Sequence, residues 1–352
     1  MTIYSTTSSP SAETYTSPNP AYFEKQIDQI CAERVQRFKT IQRFYLKFHT
    51  FFLLGIVFEI LAFGFTFHYF PKSSVLALFI SGIFLTIFSH FVLLSYFQVK
   101  KPQQFTQLKE EFVNQCKSLI TFEKGASEYH FSLSHALQRL VSKLAISEIN
   151  SQKWVKRSEI LTQLIFKWRI WSQWKDLLKI KELLFSSAIE EHFALIKLEP
   201  TDLEVHASLA NIYRIFSKFY VEPQKLTMNE AITWLPRGFY SAEMNEKSIE
   251  LLQRALQELL ILNEYASNDP WVHTQLAAIY EDLKMPDKEI KEYEKILEMS
   301  PEEKEIIFRL GICYFKQGEN AKGLRMYDLL KRLHPSKSLE LINHYDAFNF
   351  NK

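Results

Sequence analysis

The sequence predicts an all-α protein in two parts: a two-helix transmembrane hairpin followed by an α-solenoid of short helical repeats. Three observations predict it. Two apolar runs of membrane length stand only four residues apart, and a 34-residue period recurs in the second half of the chain. Glycine is scarce, 8 of 352 residues, too few for the tight turns of an all-β fold.

Residues 1–20 are rich in Ser, Thr and Pro with no apolar periodicity, so a disordered tail is expected. They lack the basic start and apolar core of a Sec signal peptide. A Ser/Thr-rich start of this kind also fits a substrate of bacterial type III secretion. Residues 21–48, basic and aromatic, are expected to form a juxtamembrane helix lying partly at the interface.

The hairpin is expected over 49–99, with spans at 51–70 and 75–97. Twenty helical residues cover about 30 Å, the thickness of a hydrocarbon core. Neither span holds Lys, Arg or Asp, and Pro71, Lys72, Ser73 and Ser74 alone join them, which forces an antiparallel pair. Arg34, Arg37, Lys39, Arg43 and Lys47 precede the first span and Lys100, Lys101 and Lys109 follow the second, against Lys72 in the loop. This asymmetry places both termini in the cytoplasm, in a bacterial inner membrane or alternatively a host-derived one. Glu59 falls near the middle of the first span, at the depth of Thr86, with His90 one turn deeper. An intramembrane carboxylate serves either as part of an ion relay or as a hydrogen bond fixing the hairpin or a homo-oligomer contact; a single one makes no pathway, which favours the second reading.

A helical linker region is expected over 103–180, with helices at 103–122 after Pro102, at about 132–149, and from about 151. Trp168, Trp171 and Trp174 recur every third residue beside Phe166, a stripe read as core packing or as a ligand or membrane-skimming face.

The repeats carry the strongest signal. Leu276, Ala277 and Tyr280 form L-A-x-x-Y; Leu310, Gly311 and Tyr314 form L-G-x-x-Y 34 residues later. Tyr293 and Tyr327 keep the same spacing, as do Pro301 and Pro335. A small residue lets two helices approach, an aromatic one turn on fills the gap, and proline ends the second helix. This pattern resembles the tetratricopeptide-repeat (TPR) family. A looser unit carries Leu209, Ala210 and Tyr213, with an insertion at 219–244 before its second helix resumes near Asn245; a partial unit ends at Pro200, with Ala188 and Ile189 in its second helix. A TPR-like domain is therefore expected over 181–352, with three to four repeats and a solvating helix after Pro335.

The resemblance implies a concave groove for a partner's peptide or helix, lined by the first helix of each repeat. The matching positions are Asn211, Arg214, Thr274, Ala278, Glu281, Phe308, Arg309, Ile312 and Phe315. Their Phe and Arg content suits a partly apolar protein partner. Asn211 and Arg309 partly match the set that holds a chaperone's C-terminal carboxylate in this family, but Ala278, Glu281 and Asp282 do not.

Catalytic signatures are missing: no P-loop, GxGxxG, HExxH or nucleophile elbow. Cys31, Cys116 and Cys313 lie far apart, and Glu191 and His192 point to different helix faces and read as surface residues. The expectation is no enzyme, no cofactor and no metal site. A net charge of +2 gives no field for nucleic acid. Function then reads as a membrane-anchored scaffold whose partners are the bilayer and another protein. The alternatives are a secreted bacterial effector in a host membrane and a transport component built on Glu59 and His90. Two close spans after a polar start are also similar to the bilobed hydrophobic region of chlamydial inclusion membrane proteins, over residues 1–101.

Overall fold

A computed structural model describes residues 20–69, 73–144, 159–228 and 242–349 of the protein. Every regular element among them is a helix: α1 (Pro20–Tyr69), α2 (Ser73–Leu119), α3 (Ser127–Lys143), α4 (Glu159–Leu198), α5 (Leu203–Met228), α6 (Ala242–Tyr265), α7 (Pro270–Asp282), α8 (Pro286–Met299), α9 (Lys304–Gln317), α10 (Asn320–Leu333) and α11 (Pro335–Asn349). They fall into two compact units, Met1–Asn150 and Ser151–Lys352. The tail at 1–19, the Pro71–Lys72 connection, the segment 229–241 of the expected insertion and the side chains of Phe166, Trp168 and Trp171 lie outside the described residues.

In the first unit, α1 and α2 run antiparallel. Phe48 meets Phe97 with ring centroids 4.6 Å apart, and Phe38 meets Phe105 at 5.4 Å. Between these levels the Tyr45 hydroxyl donates to Gln104 at 2.9 Å. Both helices extend well past their apolar runs. The expected break at Pro102 does not occur: α2 is continuous from Ser73 to Leu119 with the proline inside it. Proline removes one backbone hydrogen bond and crowds the preceding turn, but Phe97 before it and Phe105 after it both pack on α1 and hold one axis. The polar ends close over α3. Ile27, Cys31, Phe38, Phe105, Leu108, Phe112, Cys116, Leu133, Leu137 and Leu140 form the buried set. Ion pairs frame it: Arg34 donates to Glu111 at 2.6 Å, Arg37 reaches the same carboxylate, and Arg139 grips Asp28 through two bonds of 2.6 and 2.9 Å. Arg139 and Lys143 hold the Asp28 carboxyl at about 2. Beyond this base the apolar side chains face outward; Phe51 is 74% exposed and Phe84 71%.

In the second unit, α7 with α8 and α9 with α10 are TPR-like helical pairs. The motif residues are buried: Ala277 and Tyr293 pack with Leu310 and Tyr314 across α7, α8 and α9, Leu276 and Tyr280 pack against α5 and α6, and Gly311 lies against Met326 and Leu341. Gly311 admits a close approach of α11: a Cβ there would lie 2.7 Å from the end of the Leu341 side chain. Leu209, Ala210 and Tyr213 occupy the same role between α5 and α6, packed with Leu252, Ala255 and Leu259. Much of the expected insertion is helix. α5 continues to Met228 and α6 begins at Ala242, because the apolar stripe of α5 extends through Phe216, Phe219 and Tyr220 and stacks on α4: Phe185–Phe216 at 4.6 Å and Trp174–Phe219 at 5.9 Å.

A recurring clasp escapes the repeat pattern. His206 and His273 each stand three residues before the motif leucine. His206 Nδ1 meets Glu258 at 2.6 Å and its Nε2 meets the Pro200 carbonyl at 3.1 Å. His273 Nδ1 meets Glu292 at 2.5 Å and its Nε2 the Ser267 carbonyl at 2.8 Å. Each ring thus ties the start of a first helix to its own second helix and to the preceding loop. In the next unit the matching residues are Ile307, fully buried, and Met326, so apolar packing replaces the clasp. His192 is buried rather than at the surface, between the Ala188 carbonyl (3.1 Å) and the Ser208 hydroxyl (2.9 Å).

This packing can be tested at Gly323 and at His206. A Cβ on Gly323 would lie 2.3 Å from the Phe315 ring. Gly323→Ala gains about 1 kcal/mol of helix propensity but forces a repacking that costs about 1–3 kcal/mol; a lower thermal midpoint, by circular dichroism, is expected. Burial pushes the His206 imidazole down, but Glu258 and the Pro200 carbonyl outweigh it and raise it above its ordinary 6.5. Its contribution to stability is therefore complete below 6.5 and fades as pH rises through the folded value. Melting curves at about pH 8 and about pH 6 should show the wild type gaining stability on acidification relative to His206→Gln.

Candidate functional site

The groove positions expected from the repeats lie on the first helices. On α5, Asn211 is exposed, while Arg214 donates from Nε to Asp282 of α7 at 2.8 Å and from its terminal nitrogen to the Ala278 carbonyl at 3.4 Å. Lys218 approaches the same Asp282 at 3.7 Å. On α7, Thr274 donates to its own Pro270 carbonyl at 2.7 Å, Ala278 is buried and Glu281 exposed. On α9, Arg309 is exposed and bonds Glu305 at 3.1 Å. The structure therefore brings Arg214 and Asp282 together across α5 and α7.

On α9 the face is occupied by the chain itself. Phe315 is only 3% exposed, packed on Tyr345 of α11 at 5.2 Å, with Ile307, Leu330 and Leu341 around it. Phe308 meets His344 at 6.1 Å and lies under the Lys337 ammonium, and Ile312 packs on the same cluster. Lys337 also pairs with Glu305, completing a closure over this end. The expectation that Phe308, Ile312 and Phe315 line an open groove is corrected on this point. An apolar first-helix face at the last repeat needs a cover, and α11 supplies it.

Another opening lies away from the expected groove positions. A cavity of about 480 Å³ lies among α4, α5 and α6. Tyr213, Phe216 and Tyr220 form its floor on α5, with Leu183 and Ile189 of α4 and Leu251 of α6 beside them. The rim carries both charges: Lys179, Glu182 and Glu190 from α4, Lys247, Glu250 and Arg254 from α6. Tyr220 donates to Glu182 at 2.9 Å; its phenol is pushed up by burial and by that carboxylate. Arg254 bonds Glu250 at 2.8 Å. The signal for this floor is present as aromatic residues at i, i+3 and i+7 on one helix. It is hidden because the segment after 219 reads as an insertion.

In the hairpin, Thr86 donates to Glu59 Oε1 at 2.6 Å, bonding α2 to α1, while Glu59 Oε2 is buried without a partner. His90 sits in an aromatic setting, 5.1 Å from Phe52 and 5.7 Å from Phe48, with His49 also at 5.7 Å. Among the described residues no group of three His, Cys, Asp or Glu has metal-holding geometry.

No family model matches the chain, and no curated protein matches it. Several solved structures are similar. They include TTC0263, a thermophilic TPR protein of Thermus thermophilus, at 17% identity over 72% of this chain and 99% of that one, with a TM-score of 0.31. YrrB, a TPR protein with an unusual peptide-binding site, matches at 13% identity over 68% and 97%, also with a TM-score of 0.31. Yeast Tom70 matches at 11% identity over 92% and 77%, with a TM-score of 0.22.

Arg214 and Asp282, both about a quarter exposed, form the closest ion pair across α5 and α7 among the described residues of this face. A double-mutant cycle of Arg214→Ala and Asp282→Ala should return a coupling of about 0.5–1 kcal/mol in thermal or denaturant unfolding, shrinking as salt is added.

Proposed function

We propose that this protein is a membrane-anchored interaction scaffold: α1 and α2 cross a bilayer as a hairpin, and the TPR-like helices bind another protein on the cytoplasmic side. The observation that carries the anchor is the outward-facing apolar band, from Phe51 to Phe67 on α1 and from Leu78 to Val99 on α2. Those lengths correspond to about 26 and 33 Å of helix, and apolar surface of that extent needs a lipid or protein cover. The excess of Lys and Arg at the open end of the hairpin supports a cytoplasmic location for both termini. A bacterial inner membrane is the bilayer of this reading; a host-derived membrane is its alternative, and fractionation of infected cells separates them. The Glu59–Thr86 bond supports a role in holding two helices together, or two copies, over a role in transport.

For the partner, the α4–α5–α6 cavity is the binding surface of this reading. The first-helix positions Asn211, Glu281 and Arg309, which are exposed, and the half-buried Thr274 are the second candidate, since α11 occupies the neighbouring Phe308, Ile312 and Phe315. Tethering raises the local concentration of the domain at the membrane, so a modest affinity is sufficient.

The test is affinity capture of the tagged full-length protein from gently solubilised native membranes. It is run beside Lys179→Glu/Lys247→Glu at the cavity rim and Asn211→Arg/Glu281→Lys on the first-helix face. Rim variants that fold normally should lose the partner by a factor of about ten or more, the scale of a disrupted binding centre. Loss with the second pair alone moves the surface to the first helices. A protein extracted by alkaline carbonate, without detergent, removes the anchor.

A further inference from the structure

Between Arg34 and Lys109 the chain carries nine cations, Arg34, Arg37, Lys39, Arg43, Lys47, Lys72, Lys100, Lys101 and Lys109, against one carboxylate, Glu59. Glu59 lies inside the apolar band, bonded to Thr86. Two of the cations, Arg34 and Arg37, share the Glu111 carboxylate at the polar base. Lys101 lies over the Tyr45 ring at 4.8 Å. Arg43, Lys47 and Lys100 are exposed and have no partner among the described residues.

These three sit at one level. The Phe48–Phe97 contact and the Thr86–Glu59 bond fix the antiparallel register, which places Lys100 opposite Tyr45, between Arg43 and Lys47. At 1.5 Å per residue, all three fall within about 6 Å along the helix axes. That level is where the apolar band ends. On α1, Arg43 and Lys47 are one turn apart and continue into Phe51; on α2, Val92, Tyr96 and Lys100 form the same ladder, with Val92, Tyr96 and Phe51 all exposed. Long basic stems lie along apolar surface and lift their charges to its edge. Tyr96 and Phe44, both exposed there, have the amphipathic or aromatic character that settles at a headgroup layer.

We propose that Arg43, Lys47 and Lys100 form a collar that selects anionic phospholipid headgroups over neutral ones. The inference rests on the membrane-anchor proposal, and it adds a preference that anchoring by itself does not need. A phosphate or carboxylate headgroup supplies the counter-charge that the fold withholds at this level. Three cations at one height present it with a surface that a zwitterionic headgroup, with no net charge, matches less well.

The experiment reconstitutes the full-length protein into phosphatidylcholine vesicles with and without phosphatidylserine. It reads two quantities: the fraction that resists alkaline carbonate extraction, and the lipid retained after mild detergent solubilisation. Each cation near an anionic surface contributes roughly fivefold in partitioning. Wild type should insert in both vesicle types and retain phosphatidylserine above its bulk share. Arg43→Gln/Lys47→Gln/Lys100→Gln should insert equally and lose that enrichment by about tenfold or more, the sum being screened by salt. Arg43→Lys/Lys47→Arg/Lys100→Arg should keep it. Equal enrichment in wild type and the neutral variant overturns the proposal, as does an inserted wild type with no enrichment. Enrichment abolished by millimolar free phosphate (an anion site without lipid preference) overturns it too. Failure to resist extraction in either vesicle overturns the anchor itself and the collar with it.

Discussion

The antiparallel register of α1 and α2 sets the first unit. Only three residues separate the end of α1 at Tyr69 from the start of α2 at Ser73, so the helices cannot slide without breaking every cross-contact together. One alignment pairs Glu59 with Thr86, Phe48 with Phe97, Phe38 with Phe105 and Arg34 with Glu111. The apolar part supplies exposed surface and one polar bond; the polar part supplies a buried core and ion pairs. Because both parts share two continuous helices, the position of the apolar band fixes which residues form the base. Pro102 survives inside α2 for the same reason: the contacts on either side of it belong to one alignment.

Much of this is legible in the residues alone. Apolar runs of about membrane length, a four-residue connection and the depth match of Glu59 with Thr86 are counting exercises on the sequence. The continuity of α2 is not legible, because a proline is locally a helix end and only the partner helix overrides it. In the second unit the 34-residue spacing of Leu276, Ala277, Tyr280 and Tyr293 with Leu310, Gly311, Tyr314 and Tyr327 is a direct signature of helix-pair packing. The histidine clasps are only half visible: His206 and His273 share a place three residues before the motif leucine, but Ile307 stands there in the next unit and the glutamate partners are 52 and 19 residues away. A lone histidine carries no signal until its partner is known. Glu289 is equally silent: it is buried and accepts from the Cys313 thiol at 3.0 Å, while its counterpart one repeat later is Gly323.

The first-helix face shows what a family resemblance carries and what it leaves open. Phe308, Ile312 and Phe315 pack in one cluster with Leu330 of their own second helix, where Gly323 admits the Phe315 ring, and with Leu341 beyond it. Whether such a face meets a partner or another helix of the same chain depends on the segment beyond the last repeat. Here α11 begins directly at Pro335, and Leu341 and Tyr345 fill the space over Gly311 and Phe315. Elsewhere on this face, Arg214, Lys218 and Asp282 satisfy one another. A partner approaching there must replace internal bonds with equal ones, which returns little net free energy.

Helix length explains why the open surface lies elsewhere. α7, α8, α9 and α10 have 13 or 14 residues each, about 20 Å, so successive pairs are matched in length. α5 has 26 residues and α6 has 24, close to about 39 and 36 Å. Helices of that length cannot be covered by a 13-residue neighbour, and α4 takes up the excess through Trp174 and Phe185 on Phe219 and Phe216. α4 covers α5 along one side only, so Tyr213, Phe216 and Tyr220 keep a face toward the space between α4 and α6. A strict repeat would close that space. The departure from the period, which makes this segment the hardest to read from sequence, is therefore also the physical origin of the cavity.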